Sequence, residues 1–104
     1  MKAYVLNKAG GTDVLTISDV ASTPVGSNEA RVRIETIGLN YAEIQSRKGL
    51  YGWAPKRPYI PGMEAYGKIE ALGEGVSHLQ VGTPVIVVGQ FGCYAEEVVV
   101  RVSQ

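Results

Sequence analysis

Polar and apolar residues alternate with a period of two along much of this chain. The clearest case is residues 30–37, where Val32 and Ile34 alternate with Arg31 and Arg33. Because successive side chains of a strand point to opposite faces, this pattern predicts a half-buried β-strand. The same pattern and continuous apolar runs predict five further strands, at residues 2–7, 14–20, 67–72, 84–88 and 94–102.

Residues 40–48 form the only segment with a persuasive helical pattern. Asn40 is a favourable N-cap residue, and Gly49 follows the last helical position. Thirteen glycines and five prolines divide the rest of the chain into short pieces, and residues 52–61 are predicted to form an irregular loop. Many short strands with glycine-rich turns indicate a β-barrel or a β-sandwich.

Composition narrows the class of protein. A chain of 104 residues fits one domain, with 45% hydrophobic and 19% charged residues and no net charge. Basic residues are scattered, so no nucleic-acid partner is expected. No apolar stretch approaches the ~20 residues that cross a bilayer, and no signal peptide is evident. A single cysteine, Cys93, cannot form an internal disulfide, and we expect it to be a buried small apolar residue in a cytoplasmic protein.

Three motifs together resemble the catalytic domain of the medium-chain dehydrogenase/reductase superfamily. They are Gly-Leu-Asn-Tyr-Ala-Glu at residues 38–43, Arg-Lys-Gly-Leu-Tyr at 47–51 and Pro-Gly-Met-Glu-Ala-Tyr-Gly at 61–67. The resemblance implies that residues 1–104 are one mainly β, GroES-like domain. Its expected architecture is a partly open β-barrel with one short helix at the cleft.

The same motifs lack the residues that bind zinc in the superfamily's alcohol dehydrogenases. Met63 stands at the histidine position, and the upstream motif has no cysteine. The pattern therefore resembles the zinc-free quinone oxidoreductase branch, which includes the vesicle amine transport protein group. A catalytic zinc also needs about three His, Cys or carboxylate ligands, whereas His78 and Cys93 match no metal-binding spacing. We expect no zinc.

The resemblance implies reduction of a quinone or an α,β-unsaturated carbonyl by NADPH or NADH. The glycine-rich residues 73–78 lack the last glycine of a dinucleotide loop, and we predict a β-turn there. A dinucleotide-binding domain is therefore expected outside these residues, in cis or in trans. The full-length enzyme could form a homodimer. The alternative is a stand-alone GroES-like binding or assembly module without catalysis.

The resemblance also assigns the catalytic and cofactor-binding candidates. Asn40 and Tyr41 are expected along the nicotinamide, although Asn40 could serve only as a helix cap, and Tyr41 could pack in the core. Tyr51 is the catalytic candidate, because a phenol can donate a hydrogen bond to a carbonyl oxygen that gains charge during reduction. The alternative for Tyr51 is a lid residue that shapes the pocket.

Four more residues are expected to line the substrate pocket, namely Glu43, Met63, Glu64 and Tyr66. Glu43 is either a solvated acid in the first helical turn or a polar contact in the cleft. Met63 is expected to line an apolar cavity, and Glu64 to pair with a backbone amide or an arginine. Tyr66 either narrows the pocket or fills a gap in the core.

Overall fold

The computed structural model describes residues 1–50 and 55–102, and within these ranges it contains six strands and one α-helix. In chain order they are β1 (Lys2–Leu6), β2 (Leu15–Asp19), β3 (Glu29–Gly38), α1 (Tyr41–Arg47), β4 (Glu64–Leu72), β5 (Pro84–Val88) and β6 (Glu97–Arg101). All six predicted strands and the predicted helix are confirmed. In the described part of the chain, no helix is long and apolar enough to cross a bilayer.

Two strands begin three residues away from the predicted position, each for a physical reason, and the other boundaries agree within one residue. β4 begins three residues earlier, because residues 64–66 pair with β5 through residues 86–88. β6 begins three residues later, because Tyr94 and Ala95 contact β1 instead of β3. The Tyr94 carbonyl accepts a hydrogen bond from the Tyr4 amide at 2.8 Å, and Ala95 forms an isolated bridge with Ala3.

The strands form two antiparallel sheets that leave the barrel partly open. β1 pairs with β2, and the larger sheet has the order β5-β4-β3-β6. Isolated bridges between Ala3 and Ala95 and between Leu6 and Tyr59 join the small sheet to the rest. The expected mainly β, partly open architecture with one short helix is confirmed.

The core lies beneath the inward-facing positions of the large sheet. Val32 of β3, Ala65 of β4 and Val87 of β5 form one buried cluster with Cys93. Cys93 is 1% exposed, and its burial raises the pKa of its thiol to about 11, with the nearby carboxylates adding to the shift. The prediction that Cys93 is a buried apolar residue is therefore confirmed.

The backbones of β3 and β4 approach each other closely at Gly67. A Cβ atom at this position would collide with the carbonyl oxygen of Arg33. Because that oxygen belongs to the backbone of the neighbouring strand, it cannot turn aside as a flexible side chain could. Glycine at residue 67 therefore holds the two strands at a spacing that no other residue permits.

Both ends of α1 follow the sequence prediction. Asn40 occupies the N-cap with an extended backbone (φ −127°, ψ 150°), and Lys48 is the C-cap. Gly49 follows with φ +80°, a left-handed conformation that glycine adopts without steric cost. The helix is thus fixed at both ends, which places its first turn beside the start of β4.

A charged cluster spans the outer face of the large sheet around Arg31. Its Nε atom lies 2.9 Å from a Glu70 carboxylate oxygen and 3.7 Å from one of Glu97. The Ser22 hydroxyl also donates a hydrogen bond to Glu97. That hydrogen bond, aided by the charge of Arg31, holds the pKa of Glu97 below its usual value, although burial acts in the opposite direction.

The acid sensitivity of the fold tests this cluster. A carboxyl group whose pKa is lowered by folding stabilises the protein above its unfolded pKa, and this contribution disappears as the pH falls through the folded pKa. Glu97→Gln should therefore lower the free energy of unfolding by about 1 kcal/mol at neutral pH. The difference in free energy of unfolding between the wild type and Glu97→Gln should become smaller as the pH falls below 4.5, the usual carboxyl pKa. Urea unfolding at several pH values measures it. Glu74→Gln, in an exposed turn, is the control; a difference for Glu97→Gln that stays constant with pH would contradict the prediction.

Candidate functional site

The carboxylate of Glu43 is the centre of the candidate site. Although it lies in the first turn of α1, Glu43 is only 6% exposed. Its Oε1 atom accepts the backbone N–H of Met63 at 2.9 Å, and its Oε2 atom accepts that of Asn40 at 2.9 Å. The hydroxyl of Tyr94 also donates to Oε2. One carboxylate therefore joins the start of α1, the start of β4 and the segment before β6.

Local structure explains the first of these contacts. Glu43 is the third residue of α1, a position from which a glutamate can reach back to the N-cap N–H. The length of the glutamate side chain then leaves its second oxygen facing Met63. The interpretation of Glu43 as a solvated acid is wrong, because its carboxylate is buried and satisfied by the protein's own donors.

Met63 is held mainly through its backbone. Its N–H donates to Glu43, and its carbonyl oxygen accepts the N–H of Gly89 at 2.8 Å. Met63 is half-buried, and with Ala42, Ser46 and Tyr59 it lines a gap too small for a water molecule. Met63 therefore closes the space beside the helix.

Glu64 and Tyr66 lie on the outward face of β4, because they alternate with buried Ala65. They line an open groove of about 250 Å³ together with Ile86 of β5. Glu64 packs across Gly38, where a Cβ atom would collide with its carboxylate. Tyr66 is 41% exposed, so the interpretation that it fills a gap in the core is wrong.

The remaining predicted residues lie at or after the helix. Asn40 is half-buried, and its side-chain Nδ2 atom lies 3.5 Å from Glu43 Oε1. Tyr41 and Leu39 beside it are 68% and 77% exposed, so Tyr41 does not pack in the core. Tyr51 lies outside the described residues, and its role stays a prediction.

Tyr94 belongs to the site, although the sequence analysis included it only as a predicted strand residue. Burial, followed by the hydrogen bond to Glu43 and the charge of Glu43, raises the pKa of its phenol. The phenol therefore stays protonated and remains the donor. No sequence signal identifies this contact, because Tyr94 and Glu43 are far apart in the chain and match no local motif.

The donor groups near Met63 do not suit a catalytic zinc. Within residues 1–50 and 55–102, no group of three or more His, Cys, Asp or Glu residues could hold a metal ion. The carboxylate of Glu43 is already occupied by donors from Asn40, Met63 and Tyr94, and the raised pKa of Cys93 keeps it a neutral thiol. A zinc ligand would have to be a thiolate, a neutral imidazole or a free carboxylate.

Comparison with known proteins agrees with the motifs and the fold. The family model described as the alcohol dehydrogenase GroES-like domain matches residues 26–104. The chain belongs to this family. The GroES-like domain of this chain is 41% identical over 100 residues to the synaptic vesicle membrane protein VAT-1 homolog of Danio rerio, covering 95% of the chain and 21% of that relative.

Solved structures of similar proteins show the same domain. The human synaptic vesicle membrane protein VAT-1 homolog-like protein superimposes with a TM-score of 0.94 at 32% identity, over 98% of this chain and 33% of that one. Escherichia coli quinone oxidoreductase, solved as a complex with NADPH, superimposes with a TM-score of 0.90 at 28% identity, over 97% and 31%. The resemblance to the medium-chain dehydrogenase/reductase superfamily is confirmed, and the GroES-like chain spans about a third or less of these relatives.

Replacing the central carboxylate tests its structural role in this GroES-like domain. Glu43→Gln keeps the size of the side chain, but its single amide oxygen cannot accept all of these hydrogen bonds, and its NH₂ group faces other donors. We expect the free energy of unfolding to fall by about 2 kcal/mol in urea titrations. Glu35→Gln, at an exposed position of β3, is the matched control and should change the free energy of unfolding little. Equal stability of the two variants would contradict the assigned role.

Proposed function

We propose that this chain is the catalytic portion of a zinc-independent, NADPH-dependent oxidoreductase that reduces quinones or α,β-unsaturated carbonyls. The observation that carries the proposal is the Glu43 carboxylate, which binds the backbone of Asn40 in the upstream motif and the backbone of Met63, the residue at the histidine position of the zinc enzymes. In this proposal, hydrogen bonds within the protein hold together the segments that a bound metal would otherwise hold. The superfamily membership and the quinone oxidoreductase relatives support the reaction type.

The described residues fit the nicotinamide end of the cofactor. The Asn40 side-chain amide has both a donor and an acceptor, which match the carboxamide group of nicotinamide. The exposed side chains of Leu39 and Tyr41 offer apolar surface beside it for a flat ring. NADPH supplies the hydride when bound, and the residues of this chain orient the ring and exclude water.

The phosphate end of the cofactor requires another part of the protein. Residues 73–75 form a turn after β4 rather than a loop that opens a helix, so this segment is no phosphate cradle. We therefore assign most of the cofactor affinity to a dinucleotide-binding domain in cis or in trans. The relatives that the chain matches have room for such a domain, because the chain spans only part of their length.

The substrate is proposed to lie between the nicotinamide and the open groove beside Glu64 and Tyr66. An apolar wall at Ile86 suits a flat conjugated ring, and Tyr51 is the proposed donor to the carbonyl oxygen. Without a metal, hydrogen bonds to that oxygen must stabilise the charge that develops there. Tyr51 is therefore the residue on which turnover should depend most.

Zinc independence is tested by chelation. The natural protein that carries this chain, dialysed against EDTA, should oxidise NADPH with 1,4-benzoquinone at an unchanged rate, because no described residue set suits a catalytic zinc. Elemental analysis of the same sample should show no stoichiometric zinc. If EDTA abolishes the activity and added zinc restores it, zinc independence is rejected. If the protein reduces neither quinones nor enones, the proposed reductase activity is rejected.

The two candidate contacts should separate in steady-state kinetics. Tyr51→Phe should lower kcat about tenfold and change KM less, because the hydrogen bond strengthens as charge develops on the substrate oxygen. Asn40→Ala should raise KM for NADPH more than it lowers kcat, since it removes a contact to the cofactor. Tyr4→Phe, a tyrosine outside the proposed contacts, is the control. An unchanged kcat in Tyr51→Phe would leave that residue only a wall of the pocket.

A further inference from the structure

The hydroxyl of Tyr94 has no part in the proposed reaction, yet it contacts the carboxylate at the centre of the site. Two of the donors to Glu43 are backbone amides that flank the site, those of Asn40 and Met63. Two side chains also donate to it: Asn40 through Nδ2, 3.5 Å from Oε1, and Tyr94 through its hydroxyl. Backbone amides move with the segments they belong to, whereas the phenol belongs to the segment before β6, which also contacts β1.

The anchoring of Tyr94 is rigid for three reasons. Its N–H donates to the Pro61 carbonyl at 2.9 Å, and its own carbonyl accepts the Tyr4 N–H at 2.8 Å. Its ring lies against Gly62, where an added Cβ atom would be 2.6 Å from Cδ1 of Tyr94. The ring also makes an edge contact with Tyr4, with 6.4 Å between the ring centres. These contacts direct the phenol at Glu43.

We propose that Tyr94 is a positioning residue: its hydroxyl fixes the Glu43 carboxylate, and through it the backbone amides of Asn40 and Met63. A glutamate has several rotatable bonds, so a carboxylate without this donor can leave the geometry that satisfies both amides. The position of Asn40 relative to the cofactor then depends on Tyr94, which touches neither cofactor nor substrate. The catalytic part of this inference rests on the function proposed above.

Tyr94→Phe separates positioning from packing. It removes one oxygen and keeps the ring that covers Gly62 and contacts Tyr4. Tyr4→Phe makes the same chemical change on the other ring of the pair and leaves Glu43 untouched, so it is the matched control. Asn28 is an internal reference, because its amide donates to the Glu74 carbonyl at 2.8 Å, in a turn outside the site.

The first measurement is amide hydrogen exchange of the natural protein, resolved to single amides by NMR. In Tyr94→Phe, the amides of Asn40 and Met63 should exchange about tenfold faster, while that of Asn28 stays unchanged. Tyr4→Phe should leave all three unchanged. Unchanged exchange at Asn40 and Met63 in Tyr94→Phe would overturn the proposal. Equally accelerated exchange at Asn28 would also overturn it, because it would report only a general loss of stability.

The second measurement is a double-mutant cycle on NADPH-dependent quinone reduction. Tyr94→Phe should raise KM for NADPH about fivefold in the wild-type background and have no further effect in Asn40→Ala, because its influence passes through Asn40. Independent, multiplying effects would overturn the catalytic part of the proposal. If the protein reduces no quinone or enone, the proposed function fails, and amide exchange alone then decides whether Tyr94 positions the site.

Discussion

The arrangement around the helix depends on one buried carboxylate. Burying an ionised group is costly unless hydrogen bonds replace the lost water, and Glu43 receives such bonds from three segments of the chain. Those segments are a helix start, a strand start and a connection between sheets, and all three meet at this carboxylate. The need to satisfy the charge thus sets the local geometry.

The junction around Glu43 is built from hydrogen bonds. A zinc ion joins distant segments through side-chain ligands, whereas Glu43 joins them through backbone amides of Asn40 and Met63. Backbone amides are present whatever the side chain is, so Met63 can be apolar without weakening the junction. The apolar side chain then closes the space beside the helix.

The strands and the helix could be predicted because their signals are local. Alternation along β3 and the Asn40 and Gly49 boundaries of α1 depend on neighbouring residues, and the structure confirms them. The burial of Glu43 could not be predicted, because its partners Met63 and Tyr94 are distant in sequence. A glutamate in a first helical turn is usually solvated, and only the tertiary fold brings a phenol and a second amide to it. Resemblance to a family supplied the candidate residues, but not these contacts.

Cys93 gives this chain a built-in reporter of its own opening. The thiol is 1% exposed and its pKa is about 11, so it is both shielded and protonated in the folded protein. Its neighbours Val32, Ala65 and Val87 come from three different strands of the large sheet. A thiol reagent can therefore reach the sulfur only when those strands separate. The rate of its modification would follow the opening of the core without any added label.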